Sequence, residues 1–202
     1  MEWVSKKPEF VGNLDEISAR CKTESGRRLI AGYAKYLHAN GNHPPKFTDL
    51  DISDFAASTP HIALGSVIKD HRCEFRIIGE NLRERMSFPT ARVNYYDYVP
   101  TDRVASVKRV MEMVVETPCG FRADLQQVYT SGQLMYAEAV ALPLAPARDG
   151  EAGQILFSDQ TTEDLGFGPK ENQALLGANL VRRDIIDIGH GIDHTFEDMV
   201  RV

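Results

Sequence analysis

Two acidic side chains lie inside apolar, strand-like stretches of the sequence and could accept protons in a catalytic step. Glu138 lies in the stretch 134–144, and Asp124 lies in an earlier one. If the larger side chains that share the parity of Glu138 face inward, it is a carboxylate in an apolar setting that Arg76 or Arg122 could neutralise. If the alanines of the other parity face inward, Glu138 is exposed and the Leu-Val side forms a flat surface suited to dimerisation. The pattern leaves both alternatives open.

Two histidines near the end of the sequence are spaced so that their side chains could bind one metal ion. His190 and His194 are four residues apart, with Asp187 and Asp193 beside them. Glycines on both sides of His190 argue against the helix that would align the two imidazoles. The three cysteines are far apart and form no C-x-x-C pair, which argues against a zinc ribbon and a disulfide framework. We therefore predict no metal site.

The composition is that of one acidic globular protein. Its 202 residues are typical of one domain with extensions. Acidic side chains outnumber basic ones by 29 to 23, and the resulting charge of −6 has the wrong sign for binding nucleic acid. The sequence shows no signal peptide and no apolar stretch of the roughly 20 residues that span a membrane. We expect a cytoplasmic protein with no nucleic-acid partner and no membrane span.

The apolar periodicity predicts the elements that would position these side chains. The predicted helices are 20–40, 80–86 and 101–117, and the predicted strands are 61–68, 73–77, 121–129, 134–144 and 154–159. Short polar turns join consecutive strands, so these strands should pair antiparallel. Two strands, two helices and three strands in this order predict an α+β fold with one sheet.

The same pattern divides the chain into four regions. They are an N-terminal arm (1–18), an N-terminal helix (19–47), a main domain (48–162) and a C-terminal extension (163–202). In the extension, the spacing predicts a helix over 170–183 and an extended segment over 184–188.

Several stretches of the sequence are specific in combination. They are the helix Leu29–Leu37 with the following Gly41-Asn-His-Pro-Pro and Asp49-Leu-Asp-Ile, then Phe75–Gly79, Glu138–Leu144 and Ile185–Gly189. Together they resemble the PAS superfamily, in particular the PAS_5 type of small single-PAS bacterial proteins. The resemblance implies a PAS-like domain over 48–162, a five-stranded antiparallel sheet with helices on one face, an N-terminal helical extension and a C-terminal tail. The chain has Gly79-Glu80 and Thr90-Ala91-Arg92 where family members often have Gly-Thr and Thr-Gly-Arg, so the loop beside any inherited ligand is altered.

The resemblance also implies a small-molecule pocket between the sheet and its helices. The predicted ligand-binding residues are Phe75, Ile77, Arg92, Tyr95, Tyr96, Met111, Glu138 and Phe157. A guanidinium and phenols could orient an anionic or aromatic metabolite, and the alternative is a filled core in which these side chains only pack. Light-sensing flavin proteins of the superfamily need a cysteine in the short helix 81–86, and haem-binding relatives need a histidine on the long helix. The sequence has neither, so no cofactor is predicted.

The function that the resemblance implies is a non-catalytic sensory or signalling module that binds a small molecule, a partner protein or both. No kinase, cyclase or DNA-binding segment follows residue 162, so the signal would leave in trans, and a homodimer through the first helix is expected. One alternative is a small isomerase or dehydratase on a curved α+β cone, with Glu138 or Asp124 as general base. Such a fold places its long helices before most of the sheet, whereas two strands precede the helix 101–117 here. The other alternative is a structural scaffold with a filled pocket.

Overall fold

A computed structural model describes residues 10–89, 92–164 and 175–192, without the side chains of residues 163 and 164. The strands of this part are β1 (Phe10–Gly12), β2 (Ile62–Ile68), β3 (Arg72–Ile78), β4 (Val93–Asn94), β5 (Cys119–Tyr129), β6 (Leu134–Leu144), β7 (Gly153–Asp164) and β8 (Leu175–Asp187). Its α-helices are α1 (Leu14–Arg20), α2 (Glu24–Ala39), α3 (Glu80–Arg85) and α4 (Val104–Glu116). Asp193 and His194 of the metal pattern lie outside the described residues.

All eight described strands form one mixed sheet in the order β1-β8-β5-β6-β7-β2-β3-β4. Neighbouring strands are antiparallel except β1 and β8, which are parallel. The five predicted strands correspond to β2, β3, β5, β6 and β7 and lie next to one another. The prediction of a five-stranded, wholly antiparallel sheet was nevertheless wrong, because β8 and β1 extend it at one edge and β4 extends it at the other.

Strand β8 corrects the prediction for the C-terminal part of the chain. The spacing predicted a helix over 170–183, but Leu175–Asp187 is one strand that pairs along the whole length of β5. Without β8, the 11 residues of β5 would form an unpaired sheet edge with unsatisfied backbone groups. The described part of the predicted tail is therefore largely a strand of the central sheet. Residues 170–174 of the predicted helix lie outside the described residues.

Helices cover both faces of the sheet, because the N-terminal helices lie on the face opposite the helices of residues 48–162. Helices α1 and α2 pack on one face, and α3 and α4 pack on the other. Strand β6 separates the two cores: Val140 and Leu142 face α1 and α2, whereas Ala139 and Ala141 face α4. Apolar residues of both parities are therefore needed, because both sides of the strand are buried. None of the described helices is long and apolar enough to cross a membrane.

Helix α2 starts later than the predicted helix over 20–40. Its N-cap is Thr23, whose hydroxyl accepts a hydrogen bond from the backbone N of Gly26 at 3.0 Å. The helix ends at Ala39, and Gly41 and Asn42 follow with positive φ angles. Its apolar side packs on the sheet, so a dimer formed through α2 would have to use the polar outer side. The break before Thr23 separates α2 from α1, which lies mostly in the predicted arm.

Candidate functional site

A cavity lies between α4 and the sheet face formed by β5, β6, β7 and β8, and we call it the α4 cavity. Its volume of about 100 Å³ has room for several waters or one small organic molecule. Most of the wall is apolar, with side chains such as Val107, Phe121 and Leu180. The polar residues of the wall are Tyr95, Tyr98, Arg103, Ser106, Gln127, Asp159 and Arg183.

Five of the eight predicted ligand-binding residues lie at this cavity or in the core next to it. Tyr95, Met111 and Phe157 line the cavity. Phe75 packs behind them, with its ring centroid 5.0 Å from that of Tyr95 and 5.5 Å from that of Phe157. Tyr96 is buried in the same core. The structure therefore brings these five predicted residues together at the cavity or beside it.

The other three predicted residues lie elsewhere. Ile77 is 52% exposed and pairs with Leu64 across a register shift in β2 and β3, which turns it to the face of α2. Arg92 is exposed, and its Nη1 is 3.4 Å from Oε1 of Glu74. Glu138 lies across the sheet from the cavity. Strict alternation along β3 predicted Ile77 inside, and the register shift makes that prediction wrong.

Asp159 provides the carboxylate of the cavity wall, and it already has a cationic partner. It is fully buried on β7, and its Oδ1 accepts a hydrogen bond from Nη2 of Arg85 at 2.8 Å. Its Oδ2 accepts one from Nε2 of Gln127 at 3.1 Å. Desolvation raises the pKa of Asp159, while the charge and hydrogen bond of Arg85 oppose that rise. The charge of Asp159 is thus balanced from α3, outside the cavity.

Arg183 is a buried cation in the same wall. It lies on β8 with only 7% of its surface exposed. Within the described residues, its Nε and Nη1 have no hydrogen-bond partner, and its Cζ lies 5.8 Å from the ring centroid of Phe121. Burial lowers the pKa of Arg183 to about 10, so the guanidinium is still charged at neutral pH. Burying a charged guanidinium without an acceptor is costly.

Across the sheet, under α1 and α2, lies a group that we call the ion cluster. Its members are Arg122, Asp124, Glu138 and Asp184, and all are buried. Arg122 donates to all three carboxylates at 2.6 to 3.3 Å. Desolvation alone would lower the pKa of Arg122, but the bonds and charges of Asp124 and Glu138 outweigh it and raise that pKa. The cluster binds β5, β6 and β8 together on the face away from the cavity.

Glu138 connects this cluster to the start of α2. Its Oε2 accepts hydrogen bonds from the backbone N of Lys22 at 2.7 Å and from Nε of Arg122 at 2.8 Å. Its Oε1 accepts from the backbone N and the hydroxyl of Thr23, at 3.1 and 2.6 Å. A Cβ at position 26 would lie 2.6 Å from Oε1, so Gly26 allows the helix to approach this closely. Of the two arginines considered from the sequence, Arg122 reaches Glu138.

The two carboxylates considered as general bases, Glu138 and Asp124, are therefore remote from the α4 cavity. Both are bonded to Arg122, on the side of the sheet that faces α1 and α2. The Leu-Val side of β6 is also covered by these helices, so the flat exposed surface considered from the sequence does not exist. Among the described residues, no three His, Cys, Asp or Glu side chains are placed to hold a metal ion.

We expect His61 to make the stability of the protein depend on pH. Burial, and then the nearby charge of Arg85, lower the pKa of His61 below its ordinary value of 6.5. The unfolded chain then binds more protons than the folded one just below pH 6.5, so stability is complete above that pH and decreases as the pH falls. We expect His61→Gln to reduce this decrease, measured as the difference in free energy of unfolding in urea between about pH 7.5 and about pH 5. The exposed His71→Gln is the control, and an equal pH dependence in both variants would contradict the assignment.

Several residues of the cavity wall were missed from the sequence, chiefly Arg183 and Asp159. Asp159 was read as the end of a strand, and Arg183 lay in the segment predicted as a helix. One signal could have indicated Arg183: in a strand, neighbours point to opposite faces, so the pair Arg182-Arg183 beside the apolar Ile185-Ile186 places one arginine on each side.

Fold and cavity together define an α+β domain with a helix-covered sheet and a small, mostly apolar site. No family model matches the chain, and no curated protein and no solved structure matches it.

Proposed function

We propose that this protein is a non-catalytic sensory module that binds a small molecule in the α4 cavity and signals through α1 and α2. The observation that supports it best is the placement of Arg183 and Asp184, which are consecutive on β8 and face opposite sides of the sheet. One faces the cavity, and the other belongs to the ion cluster under the N-terminal helices.

The cavity supports the binding half of the proposal. Small-molecule sites are concave and mainly apolar, with a few polar groups that fix the orientation of the ligand. The α4 cavity combines apolar walls with the hydroxyl of Ser106, the amide of Gln127 and the guanidinium of Arg183. Residues far apart in the sequence contribute to it, from α4 to β8.

The contacts of Asp184 support the signalling half. Its Oδ2 is 3.3 Å from Nη1 of Arg122 and 3.6 Å from Nε of Arg20 in α1. Arg183 and Asp184 are consecutive in the backbone of β8. A shift of β8 on ligand binding at Arg183 would therefore also move Asp184 relative to α1. The signal would then leave through the outer surface of α1 and α2, to a partner protein or a second copy of the chain.

The order of elements supports the PAS-type assignment that the sequence suggested. Strands β2 and β3, helices α3 and α4, and strands β5, β6 and β7 follow one another along the chain, and the five strands are adjacent and antiparallel. This is the arrangement that the resemblance implies for residues 48–162. The strands β1, β4 and β8 are additions to it.

Filling the cavity tests the proposal. Ser106 lines the cavity, whereas the neighbouring Ala105 is exposed on the same helix. We expect Ser106→Trp to abolish ligand binding and Ala105→Trp to preserve it. The measurement is the melting temperature in a panel of organic acids, amino acids, nucleosides and aromatic amines. A ligand at about 100 times its Kd should raise the melting temperature of the wild type and of Ala105→Trp by about 5–10 °C.

The proposal fails if no compound of the panel stabilises the wild type and mass spectrometry of untagged protein finds no co-purified molecule. That outcome would favour the structural scaffold. It also fails if Ser106→Trp responds to every ligand as the wild type does, since the binding site would then lie elsewhere.

A further inference from the structure

The guanidinium of Arg183 has no acceptor in the described part of the protein for two of its nitrogens, Nε and Nη1. The neighbouring ion cluster cannot supply one, because Asp184 faces the other side of the sheet and bonds Arg122 and Arg182. A guanidinium donates charge-assisted hydrogen bonds to a carboxylate, and a bidentate contact would use Nη2 together with either Nε or Nη1. The protein thus holds an unused carboxylate-binding group in the wall of a cavity.

The charges of the wall favour an anion. Among the described lining residues, Arg103 and Arg183 are cationic and Asp159 is anionic. Asp159 is paired with Arg85, so it leaves the positive charge of Arg183 uncompensated. A ligand with one negative charge would neutralise Arg183 and replace the hydration that this guanidinium has lost.

The size of the cavity and its apolar walls restrict the chemical class of the ligand further. A cavity of about 100 Å³ with walls such as Phe121, Val107 and Leu180 suits a small apolar body. A doubly charged phosphate would need more donors than this wall offers and would meet the carboxylate of Asp159. We propose that the ligand of the α4 cavity is a small organic monocarboxylate, held by Arg183 through its carboxylate. This inference rests on the proposed function and names its ligand class.

Calorimetric titration with matched probes tests the inference. The probes are benzoate and isovalerate, their neutral counterparts benzamide and isovaleramide, and inorganic phosphate. We expect one or both carboxylates to bind the wild type. The neutral amides should bind at least tenfold more weakly, because they lose about one charge-assisted hydrogen bond to Arg183. Arg183→Met should weaken carboxylate binding roughly 10- to 100-fold. Arg182→Met, on the opposite face of the same strand, should change it less than about threefold.

The melting temperature of the unliganded variants gives a second readout. Removing a buried guanidinium with two unbonded nitrogens should stabilise the empty protein, so Arg183→Met should melt about 2–8 °C above the wild type. A purely structural Arg183 would give the opposite sign. If Arg183→Met does not fold, Arg183→Gln serves for both measurements.

The two proposals fail in different ways. Equal binding of benzamide and benzoate, or unchanged benzoate affinity in Arg183→Met, overturns the carboxylate assignment and leaves the cavity as a ligand site. Phosphate binding without carboxylate binding overturns it as well, in favour of an inorganic anion. If neither these probes nor any compound of the broader panel bind, the proposed function itself is wrong.

Discussion

Replacing Glu138 with alanine is expected to lower the free energy of unfolding by about 3–5 kcal/mol. The side chain is buried and accepts four hydrogen bonds, from the backbone N of Lys22, from the backbone N and hydroxyl of Thr23, and from Arg122. Alanine removes the acceptor of all four donors, and three of these hydrogen bonds, from Thr23 and Arg122, are buried. It also detaches the start of α2 from the sheet, because three of the four donors belong to the segment that precedes the helix.

Glutamine at this position is expected to be nearly as destabilising as alanine, although it has almost the same shape. Each carboxylate oxygen of Glu138 faces two donors. An amide has one oxygen and one NH₂ group, so one pair of donors must face another donor. The negative charge that helps to neutralise Arg122 is also lost. The similarity of the two variants distinguishes a site built for a carboxylate from one that needs only a polar side chain.

Urea denaturation measures both effects, and hydrogen exchange at the amides of Lys22 and Thr23 locates them. Glu116→Gln is the control, because Glu116 forms an exposed ion pair with Lys69 on the surface of α4. Its loss should cost no more than about 1 kcal/mol. A loss of less than about 1 kcal/mol in Glu138→Gln would show that the four hydrogen bonds contribute little net stability.

Strands with a clear local pattern of apolar residues and turns could be predicted from the sequence. Strands that form only because they pair with a strand far away in the chain could not. Alternation and turns identified β2, β3, β5, β6 and β7 within a few residues. Residues 175–183 of β8 were predicted as a helix, whereas 184–187 were predicted as extended. Leu175, Leu176, Leu180 and Val181 do not alternate as half-buried strand residues would. The conformation of β8 is determined by pairing with β5, about fifty residues earlier in the chain, and a single-sequence pattern does not contain that information.

The environment of Glu138 was undecided from the sequence for a related reason. Both parities of β6 are apolar, and the choice was made between one face and the other. A strand that is apolar on both sides indicates burial on both sides, which is what α1 and α2 on one face and α4 on the other produce. The pairing of Arg122 with Glu138 follows from their position as close neighbours on adjacent strands, and only the register reveals it.

The structure brings the predicted apolar and aromatic residues to the cavity, but it places the predicted charged ones elsewhere. Tyr95, Met111 and Phe157 were expected at the pocket because large apolar residues of strands and helices face the core. Arg92 was chosen for its residue type, but it lies beside the edge strand β4 and pairs with Glu74. Arg183 has the chemistry that Arg92 was expected to supply, and it occupies the strand that local patterns did not predict.

The sheet separates two groups of charges with opposite characters. The ion cluster has its donors and acceptors bonded to one another, which suits a rigid junction between the sheet and the N-terminal helices. In the cavity wall, Asp159 is paired with Arg85 of α3, and Arg183 has two guanidinium nitrogens without a hydrogen-bond partner among the described residues. The first arrangement holds the N-terminal helices on the sheet, whereas the second leaves a buried charge that we propose a ligand neutralises.

Replacing Arg85 with methionine is expected to lower the free energy of unfolding by about 3–5 kcal/mol at neutral pH, because it leaves Asp159 as a buried carboxylate without its cation. Nη1 of Arg85 also donates to Gln127 at 2.6 Å, and Nη2 donates to the backbone O of Asp159 at 2.8 Å. The neighbouring Arg83→Met is the control. In the described part of the chain, Arg83 forms ion pairs with the exposed Glu80 and Glu84 at 3.8 and 3.9 Å, which should contribute no more than about 1 kcal/mol.

The pH dependence and a double variant show whether the uncompensated charge causes the loss. Desolvation already raises the pKa of Asp159, and removing Arg85 removes the opposing influence. A carboxyl group whose pKa is higher in the folded state stabilises the fold below its ordinary value of 3.8 and loses that contribution as the pH rises through the folded value. The deficit of Arg85→Met should therefore shrink as the pH is lowered toward 4, whereas in Arg85→Met/Asp159→Asn it should be smaller at neutral pH and nearly independent of pH. A double variant as unstable as the single one would mean that the hydrogen bonds of Arg85, and not its charge, hold α3 on the sheet.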